Sequence, residues 1–288
     1  MTTESFDING RIGQLWVFPI KSCAGIAMQS ARLLPTGLEY DRAFMLVDPQ
    51  GEFITQREIA HMVLIQPAIA GGVMAVTAPG MPELVVDMAF DGPTRHVRVW
   101  DDRVQALQAP DAVNAWFGKY LQTDCALVRM APTAQRLASK KWTGGADAPT
   151  QFADGYPILV ISQASVDELN QRLVDAGQAA VVGQRFRANI IVNGFESHDE
   201  DRIESLVVAQ TGGTADLPLV KPCARCPIPD IDPATAEAGT RVSDTLQTYR
   251  HDDRLDGAIT FGMNAIVPAG ASGVLHVGDA VGGNLQFD

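Results

Sequence analysis

The chain has 288 residues, 46% hydrophobic and 19% charged, which is typical of a globular protein with one large domain or two ordinary ones. Its 34 acidic residues exceed the 22 basic ones, and the formal net charge of −12 disfavours binding to nucleic acid or anionic membranes. No stretch approaches the roughly 20 apolar residues of a membrane-spanning helix, and residues 1–10 lack the features of a signal peptide. We therefore expect a cytoplasmic protein that binds neither nucleic acid nor membrane.

The first part of the chain predicts a succession of short strands separated by glycine and proline. The predicted strands cover residues 11–19, 31–34, 43–47, 52–57, 65–69, 73–77 and 84–86, with two more around Val97 and Val104. Asp48-Pro49-Gln50-Gly51 is a turn signature between two of them. Short strands with such turns are typical of a β-barrel or a sandwich.

A helix is predicted over Asp111–Leu121, where apolar residues recur at i, i+3, i+4 and i+7. Residues 132–151 lose this periodicity and are predicted to be a loop that connects two domains. Beyond it we expect a strand at 157–162, then a helix with a capping box at Ser165 and an end near Gly177. The remaining predicted strands cover residues 185–192, 203–210, 217–221 and 274–281.

The pattern predicts a mainly β (α+β) protein of two domains with a few helices. We place the first domain at residues 10–131, the connection at 132–151 and the second domain at 152–284.

The sharpest chemical feature is the pair Cys223 and Cys226, in the run Lys-Pro-Cys-Ala-Arg-Cys-Pro over residues 221–227. A C-x2-C pair can be half of a zinc site, but Cys23 and Cys125 are isolated and no histidine pair has ligand spacing. It can also be a dithiol redox motif, which usually opens a helix, and Pro227 disfavours a helix there.

A third interpretation is a single thiolate ligand in a loop. Arg225 and Lys221 would favour the thiolate, which suits a soft or high-valent metal. Two buried, inert cysteines are the structural alternative.

Basic residues in apolar strand contexts indicate an anion site. If residues 185–192 form a strand, Arg185, Arg187 and Asn189 share one face, and guanidinium groups match phosphate geometry. Lysine and arginine also lie in or beside apolar runs elsewhere, at Lys21-Ser22, at Arg42 and at Arg57, which shares a predicted strand face with Thr55. Each alone fits an exposed strand edge or a snorkelling side chain. Together, in so acidic a chain, they favour a small, highly charged ligand with a phosphate.

Other common sites have no support in the sequence. It contains no HExxH, no glycine-rich dinucleotide loop, no Walker loop and no G-x-S-x-G nucleophile elbow.

Together these motifs resemble those of the MOSC-domain molybdenum-cofactor proteins, in the branch of the mitochondrial amidoxime-reducing component and its bacterial relatives. Residues 18–23, 41–44 and 55–57 resemble the motifs of the family's N-terminal β-barrel domain. Its MOSC motifs are matched by residues 186–190, 223–226, 232–235, 261–262 and 277–279. The resemblance implies an N-terminal β-barrel domain followed by a MOSC β-barrel domain, with the cofactor between them.

The resemblance also implies a set of site residues. The family's cofactor is a molybdopterin with one terminal phosphate, and the second cysteine of the pair ligates molybdenum, which implies a metal-binding and catalytic role for Cys226. Asp154 corresponds to the start of the family's cofactor-contacting loop. The other residues implied to hold the cofactor are Lys21, Ser22, Arg42, Thr55, Arg57, Arg187 and Asn189.

The implied activity is two-electron reduction of N-hydroxylated small molecules such as amidoximes, hydroxylamines and N-hydroxylated bases. Some relatives carry a C-terminal ferredoxin domain and this chain ends at Asp288 without one, so we expect a separate electron donor of ferredoxin or flavin reductase type. Pro227-Ile228-Pro229 and Ala236 depart from the family pattern, which implies a different substrate pocket. The alternatives are a molybdenum-cofactor carrier or sulfur-transfer protein, and a zinc-binding or purely structural β protein.

Overall fold

The computed structural model describes residues 5–211 and 213–286. The strands of the first part of the chain are β1 (Ile8–Val17), β2 (Ile26–Met28), β3 (Ser30–Leu34), β4 (Gly37–Leu38), β5 (Phe44–Val47), β6 (Gln66–Ala70), β7 (Val73–Thr77), β8 (Leu84–Asp87), β9 (Thr94–Val99), β10 (Asp102–Gln108) and β11 (Ala126–Met130). Those of the second part are β12 (Ile158–Ser162), β13 (Ile190–Asn193), β14 (Ser205–Gln210), β15 (Gly213–Ala224), β16 (His251–Asp252), β17 (Ala258–Ala265), β18 (Gly273–His276) and β19 (Ala280–Gly283). The helices are α1 (Asp111–Leu121), α2 (Gln163–Asp175) and α3 (Arg241–Gln247).

Seven strands form a closed barrel in the order β12-β13-β1-β19-β14-β15-β17, and β17 pairs back with β12. Closure leaves no free edge among these seven strands. Six of them come from residues 158–283, but β1, near the start of the chain, lies between β13 and β19. The alternating apolar residues of β1, including Ile12, Leu15 and Val17, are buried inside the barrel. The first strand of the chain therefore completes the barrel of its second half.

Residues 18–131 form most of a second body built from small antiparallel sheets. One sheet has the order β5-β11-β10-β9, another β6-β7-β8, and a third joins β18 to β3 and β4. Helix α1 packs against β11 and buries Val113, Trp116 and Phe117 in the core of this region. The predicted fold class, mainly β with a few helices, is confirmed.

Several predicted elements are confirmed closely. The predicted strand 73–77 and the predicted helix 111–121 have the observed bounds of β7 and α1. Gly177 follows α2 with the left-handed φ of +72° expected of a helix C-terminus. Helix α2, however, begins before Ser165, because the Ser162 side chain is the cap and accepts a hydrogen bond of 3.0 Å from the Ser165 amide.

Three predicted strands are wrong in part. Residues 55–57 form a turn rather than a strand, because the Thr55 carbonyl accepts the amides of Glu58 and Ile59. The predicted strand 185–192 begins only at Ile190, since Arg187 has a left-handed φ of 57°. The predicted strand 274–281 is interrupted between β18 and β19 by a turn at Gly278, whose φ is +95°. In the first two cases the chain turns at residues other than glycine, so the residue types did not indicate a turn.

Within the described residues, no helix is long and apolar enough to span a lipid bilayer.

The pairing of β17 with β12 that closes the barrel depends on Gly262. It has a φ of +79°, and an added Cβ would lie 2.4 Å from Ile161 Cγ2 and 2.7 Å from the Val160 carbonyl oxygen. Gly257 has a similar φ of +77°, but an added Cβ there would meet nothing within 4 Å. The two glycines thus separate the cost of a backbone angle from the cost of a steric clash.

We expect Gly262→Ala to lower the free energy of unfolding by about 2–4 kcal/mol, since it adds a steric clash to an unfavourable φ. Gly257→Ala should cost only about 1 kcal/mol, because it adds the φ penalty alone. Urea unfolding followed by circular dichroism measures both. Equal losses in the two variants would contradict the role given to close packing at Gly262.

Candidate functional site

A cleft between the barrel and the N-terminal sheets contains every site residue predicted from the sequence. Its empty volume is about 810 Å³, including the mouth that opens to solvent. The predicted residues that line it are Lys21, Ser22, Arg42, Thr55, Arg57, Asp154, Arg187, Asn189 and Cys226. They come from segments up to 205 positions apart in the chain, counting from residue 21 to residue 226. The structure therefore brings the whole set together, and the role of each in binding stays a prediction.

Lys21 and Asp154 form an ion pair at the side of the cleft. The Lys21 ammonium is buried and lies 2.6 Å from Asp154 Oδ1 and 2.8 Å from the Phe152 carbonyl oxygen. Burial lowers the pKa of Lys21, and the Asp154 carboxylate opposes that shift. The Asp154 side chain is 66% exposed. Its partial desolvation is outweighed by the Lys21 ammonium, which holds the pKa of Asp154 well below its ordinary value.

Three predicted site residues have a left-handed backbone although none is a glycine. The φ angles are 68° at Ser22, 47° at Arg42 and 57° at Arg187. Such a conformation costs on the order of 1–3 kcal/mol per residue, and it concentrates where a binding site fixes side-chain directions. All three line one cleft, although non-glycine residues outside it, such as Gln122 and Asp256, also have a left-handed φ.

Arg42 and Arg187 both lie on the ring of Phe18. Their guanidinium carbons are 4.4 and 4.3 Å from its centroid. Arg42 is bound by both oxygens of Asp41, at 2.8 and 2.7 Å, and donates to the Arg187 carbonyl at 2.9 Å. Arg187 donates from Nη1 to the Cys23 carbonyl at 2.7 Å.

The second amino group of Arg187, Nη2, is buried and has no hydrogen-bond partner among the residues that the structure describes. Burial, followed by the charge of Arg42, lowers the pKa of Arg187 to about 9. A buried donor without a partner is costly, and two adjacent guanidinium groups repel each other. An anion bound at this point would relieve both effects.

Asn189 links the strands to these arginines. Its side-chain oxygen accepts from the Leu159 amide at 3.1 Å and from Arg42 Nη1 at 3.3 Å, and Nδ2 donates to the Trp16 carbonyl at 3.1 Å. Arg185, predicted to share a strand face with Arg187 and Asn189, points elsewhere. It donates to the Pro229 carbonyl at 3.1 Å and to Asp232 at 2.5 Å, because the chain turns at Arg187.

Thr55 and Arg57 reach the cleft from a turn. Arg57 Nε donates to Thr55 Oγ1 at 3.4 Å, and its guanidinium lies 4.5 Å from the ring of Trp100. Both side chains therefore lie in the cleft with the other predicted site residues, but on a turn rather than on a strand.

The two neighbouring cysteines have different surroundings. Cys223 packs against the core, and its Sγ accepts from Arg225 Nη1 at 3.0 Å. Arg225 also donates from Nη2 to the Phe186 carbonyl at 3.1 Å, beside Arg187. Cys226 follows the end of β15 and is partly exposed to the cleft. Both cysteines are half-buried and line the cleft, and the contact from Arg225 to Cys223 Sγ is what distinguishes them.

The other two cysteines are poor ligands. Burial raises the pKa of Cys23 to about 12 and that of Cys125 to about 11. All four cysteines are free thiols. Over residues 5–211 and 213–286, no three His, Cys, Asp or Glu side chains group so as to hold a metal ion.

Sequence reasoning missed several lining residues, notably Phe53, Trp100, Tyr156 and Asn264. It also missed Arg136 in the predicted connection, which donates to the carbonyls of Gln151 and Asp154 at 2.9 Å each. Arg136 thereby holds the Asp154 loop. The burial of Arg136, which is unusual for an arginine in a loop, identifies this role and is visible only in the structure.

The two halves of the chain each match a known domain family. Residues 9–124 match the MOSC N-terminal beta barrel domain, and residues 147–282 match the MOSC domain. Mitochondrial amidoxime reducing component 2 of Bos taurus is 28% identical over 94% of this chain and 82% of its own length. Mitochondrial amidoxime-reducing component 1 of Mus musculus is 27% identical over 87% and 74%. Molybdenum cofactor sulfurase of Danio rerio is 29% identical over 86% of this chain but only 31% of its own length.

A buried polar cluster lies behind the cleft. Glu200 Oε1 accepts from the Ser162 amide at 3.1 Å and from Ser165 Oγ at 2.9 Å. The His198 ring lies 5.7 Å from that of Phe261, which stacks at 4.0 Å on the cleft residue Phe186. The charged groups that act on His198 are Glu168, Arg172, Asp201 and Arg250.

The two titratable groups of this cluster have opposite pKa shifts, each caused chiefly by burial. The pKa of Glu200 is raised from 4.5 to about 7, so its stabilising contribution is full below pH 4.5 and is lost as pH rises through 7. The pKa of His198 is lowered from 6.5 to about 4, so its contribution is full above pH 6.5 and is lost as pH falls through 4. Between pH 4.5 and 6.5 the two effects oppose each other.

We therefore expect a single substitution of each group to reveal how the other group makes the unfolding free energy depend on pH. In Glu200→Gln, unfolding free energy should rise between pH 4 and 6.5 by about 2–3 kcal/mol more than in the wild type. In His198→Gln, it should fall between pH 4.5 and 7 by a similar additional amount, about 2–3 kcal/mol. Urea unfolding across this pH range measures both. Wild-type pH profiles in both variants would mean that neither group is shifted as described.

Proposed function

The chain is a two-domain MOSC protein, and on that premise we propose that it is a molybdenum-cofactor-dependent oxidoreductase that reduces N-hydroxylated compounds. The substrate class would include amidoximes, hydroxylamines and N-hydroxylated bases. One observation carries the proposal. A partly exposed thiol, Cys226, lines the same cleft as Arg187, whose buried Nη2 has no hydrogen-bond partner among the described residues.

The residues present fit a molybdopterin. Its terminal phosphate would supply acceptors for Arg187 Nη2 and would balance the charge of Arg187, which, unlike Arg42 with Asp41, has no ion pair in the described structure. Lys21 adds a third cation, already half neutralised by Asp154. The polar, cationic side of the cleft thus matches a phosphate, and the cleft opens to solvent, from which a small substrate can enter.

Cys226 would be the ligand to molybdenum through a single thiolate. When bound, the cofactor supplies two-electron redox chemistry and an open metal position at which oxygen can be transferred. The protein supplies the thiolate, its orientation and the surrounding charge. Arg225 fixes the cysteine loop by its bonds to Cys223 Sγ and the Phe186 carbonyl. The loop that holds Cys226 and the turn that holds Arg187 are therefore joined through Arg225.

A second function is favoured by a separate observation. Relatives from Danio rerio and Homo sapiens are named molybdenum cofactor sulfurase. A cofactor carrier or sulfur-transfer protein would use the same cleft and the same exposed thiol without turning over a small substrate. Reduction of an N-hydroxylated compound with an added electron donor separates the two functions, since only the reductase shows turnover.

The partners and the location follow from the proposed chemistry. A reductase needs electrons, which we propose come from a separate ferredoxin or flavin reductase type protein. We also propose a cytoplasmic location, for which four free cysteines and a strongly acidic composition give support. The amidoxime-reducing relatives are named mitochondrial proteins.

Cys226→Ser and Cys223→Ser form a matched pair for testing the ligand. Cys226→Ser should abolish turnover of an amidoxime and alter or remove bound molybdenum, since serine is a much poorer ligand for this metal. Cys223→Ser should keep most of the activity, because only one thiolate is needed. Elemental analysis, a fluorescence assay for released pterin and amidoxime reduction with a chemical donor measure these outcomes. Equal losses in the two variants would favour a dithiol instead.

Arg187→Ala should lower pterin content at least tenfold after purification and dialysis, because it removes a buried partner of the phosphate. Arg32→Ala, which truncates a 64% exposed side chain outside the cleft, is the matched control and should retain the wild-type content. Thermal unfolding of the cofactor-free proteins shows whether the fold is intact. Undiminished pterin in Arg187→Ala would remove this residue from the phosphate site.

A further inference from the structure

Trp100 combines a left-handed backbone conformation with a partly exposed side chain, and the fold alone does not require this combination. It is the first residue of the two-residue turn between β9 and β10, with a left-handed φ of 55°. Asparagine, aspartate and glycine are the usual residues at such a position, and a bulky aromatic is strained there. The residue is nevertheless 41% exposed, so burial does not compensate for the strain. Strain that persists at an exposed position at the edge of a cleft indicates a functional constraint.

The indole of Trp100 is held firmly at the mouth of the cleft. Its Nε1 donates to Asp154 Oδ1 at 3.1 Å, and the Arg57 guanidinium lies 4.5 Å from the ring. The Phe53 ring is 5.2 Å away, and Arg98 Nε donates to the Trp100 carbonyl at 2.8 Å, which fixes the turn itself. Four separate contacts thus orient an aromatic surface that remains open to solvent.

The indole shares its cleft with the proposed metal ligand. Trp100, Phe53 and Cys226 all line it, with Ile228 and Leu159 as further apolar surface. A molecule bound in the cleft beside Cys226 therefore shares it with this aromatic surface. Aromatic side chains of fixed orientation in a cleft favour flat ring systems, which gain stacking as well as apolar burial.

We propose that Trp100 determines substrate specificity by stacking with a planar aromatic or heteroaromatic body of the N-hydroxylated substrate. This inference rests on the proposed function, because it concerns which members of that substrate class bind well. Arg57 and Asp154 act on it as positioning residues, by holding the indole in place. Substrates with a small aliphatic body gain nothing from the indole.

The test compares two amidoximes that share the reacting group and differ in the body, benzamidoxime and acetamidoxime. The readout is the ratio of their kcat/KM values in molybdenum-loaded enzyme, normalised to molybdenum content. In Trp100→Ala the preference for benzamidoxime should fall three- to tenfold, the size of one aromatic contact. Trp100→Phe keeps a ring and should retain most of the preference. Trp142→Ala, which removes an indole that does not line the cleft, should leave the ratio unchanged.

A binding measurement without turnover accompanies the kinetics. Benzamidine, which lacks the reducible N-hydroxyl group, is titrated calorimetrically into the loaded wild type and the same variants, and its affinity should fall three- to tenfold in Trp100→Ala. An unchanged amidoxime ratio together with unchanged benzamidine affinity would overturn the inference. If the loaded wild type reduces neither amidoxime, the proposed function fails instead, and the benzamidine titration still decides the role of Trp100.

Discussion

The site depends on keeping two guanidinium groups together in a region largely shielded from water. Arg42 and Arg187 lie on one phenylalanine ring, and their mutual repulsion is offset by fixed partners. Asp41 neutralises Arg42, which in turn donates to the Arg187 carbonyl, and the Cys23 carbonyl accepts from Arg187. These partners leave one buried N–H group of Arg187 without an acceptor in the described structure. The fold thus maintains an arrangement that an anion would stabilise.

The register of the barrel creates this arrangement. Strand β1 pairs antiparallel with β13, and Leu15 lies opposite Ile190. The next residue, Trp16, donates its amide to the Asn189 carbonyl at 2.9 Å, and beyond it the Phe18 carbonyl accepts the Arg42 amide at 2.8 Å, so β1 carries Phe18 to the site. A bulge between Ile12 and Gln14 shifts the register by one residue, and an added Cβ at Gly13 would only have to displace the exposed Asn193 side chain, whose Oδ1 lies 2.5 Å away.

This dependence explains how far the sequence could predict the structure. Alternating and periodic apolar residues predicted β7 and α1 with their observed bounds, since burial on one face leaves a readable pattern. The motifs shared with a known family predicted the set of residues around the cleft. What failed was the conformation of the site itself. Arg187 looked like part of an alternating strand, and Thr55 and Arg57 looked like neighbours on a strand face. In both places the chain turns at residue types that ordinarily extend, and tertiary contacts stabilise the turn.

Trp100 escaped the sequence reasoning for a related reason. The strands predicted around Val97 and Val104 imply a turn between them, but a tryptophan at residue 100, where glycine or asparagine is usual, gives no sign of a left-handed φ or of a place in the cleft. The signal lies in the three-dimensional arrangement, where Asp154 and Arg57 meet the indole.

Arg185 and Arg225 connect the segments around the site, whereas Arg187 presents in the cleft an amino group that has no partner in the described structure. Arg185 ties the turn before Arg187 to Pro229 and Asp232, on the segment that follows Cys226. Arg225 ties the same turn to Cys223, on the segment that precedes Cys226. The cysteine loop is therefore joined on both sides to the turn that presents Arg187. Any ligand that bonds to Cys226 at one end and to Arg187 at the other would meet two groups whose separation is already fixed, and its binding would cost little ordering of the protein.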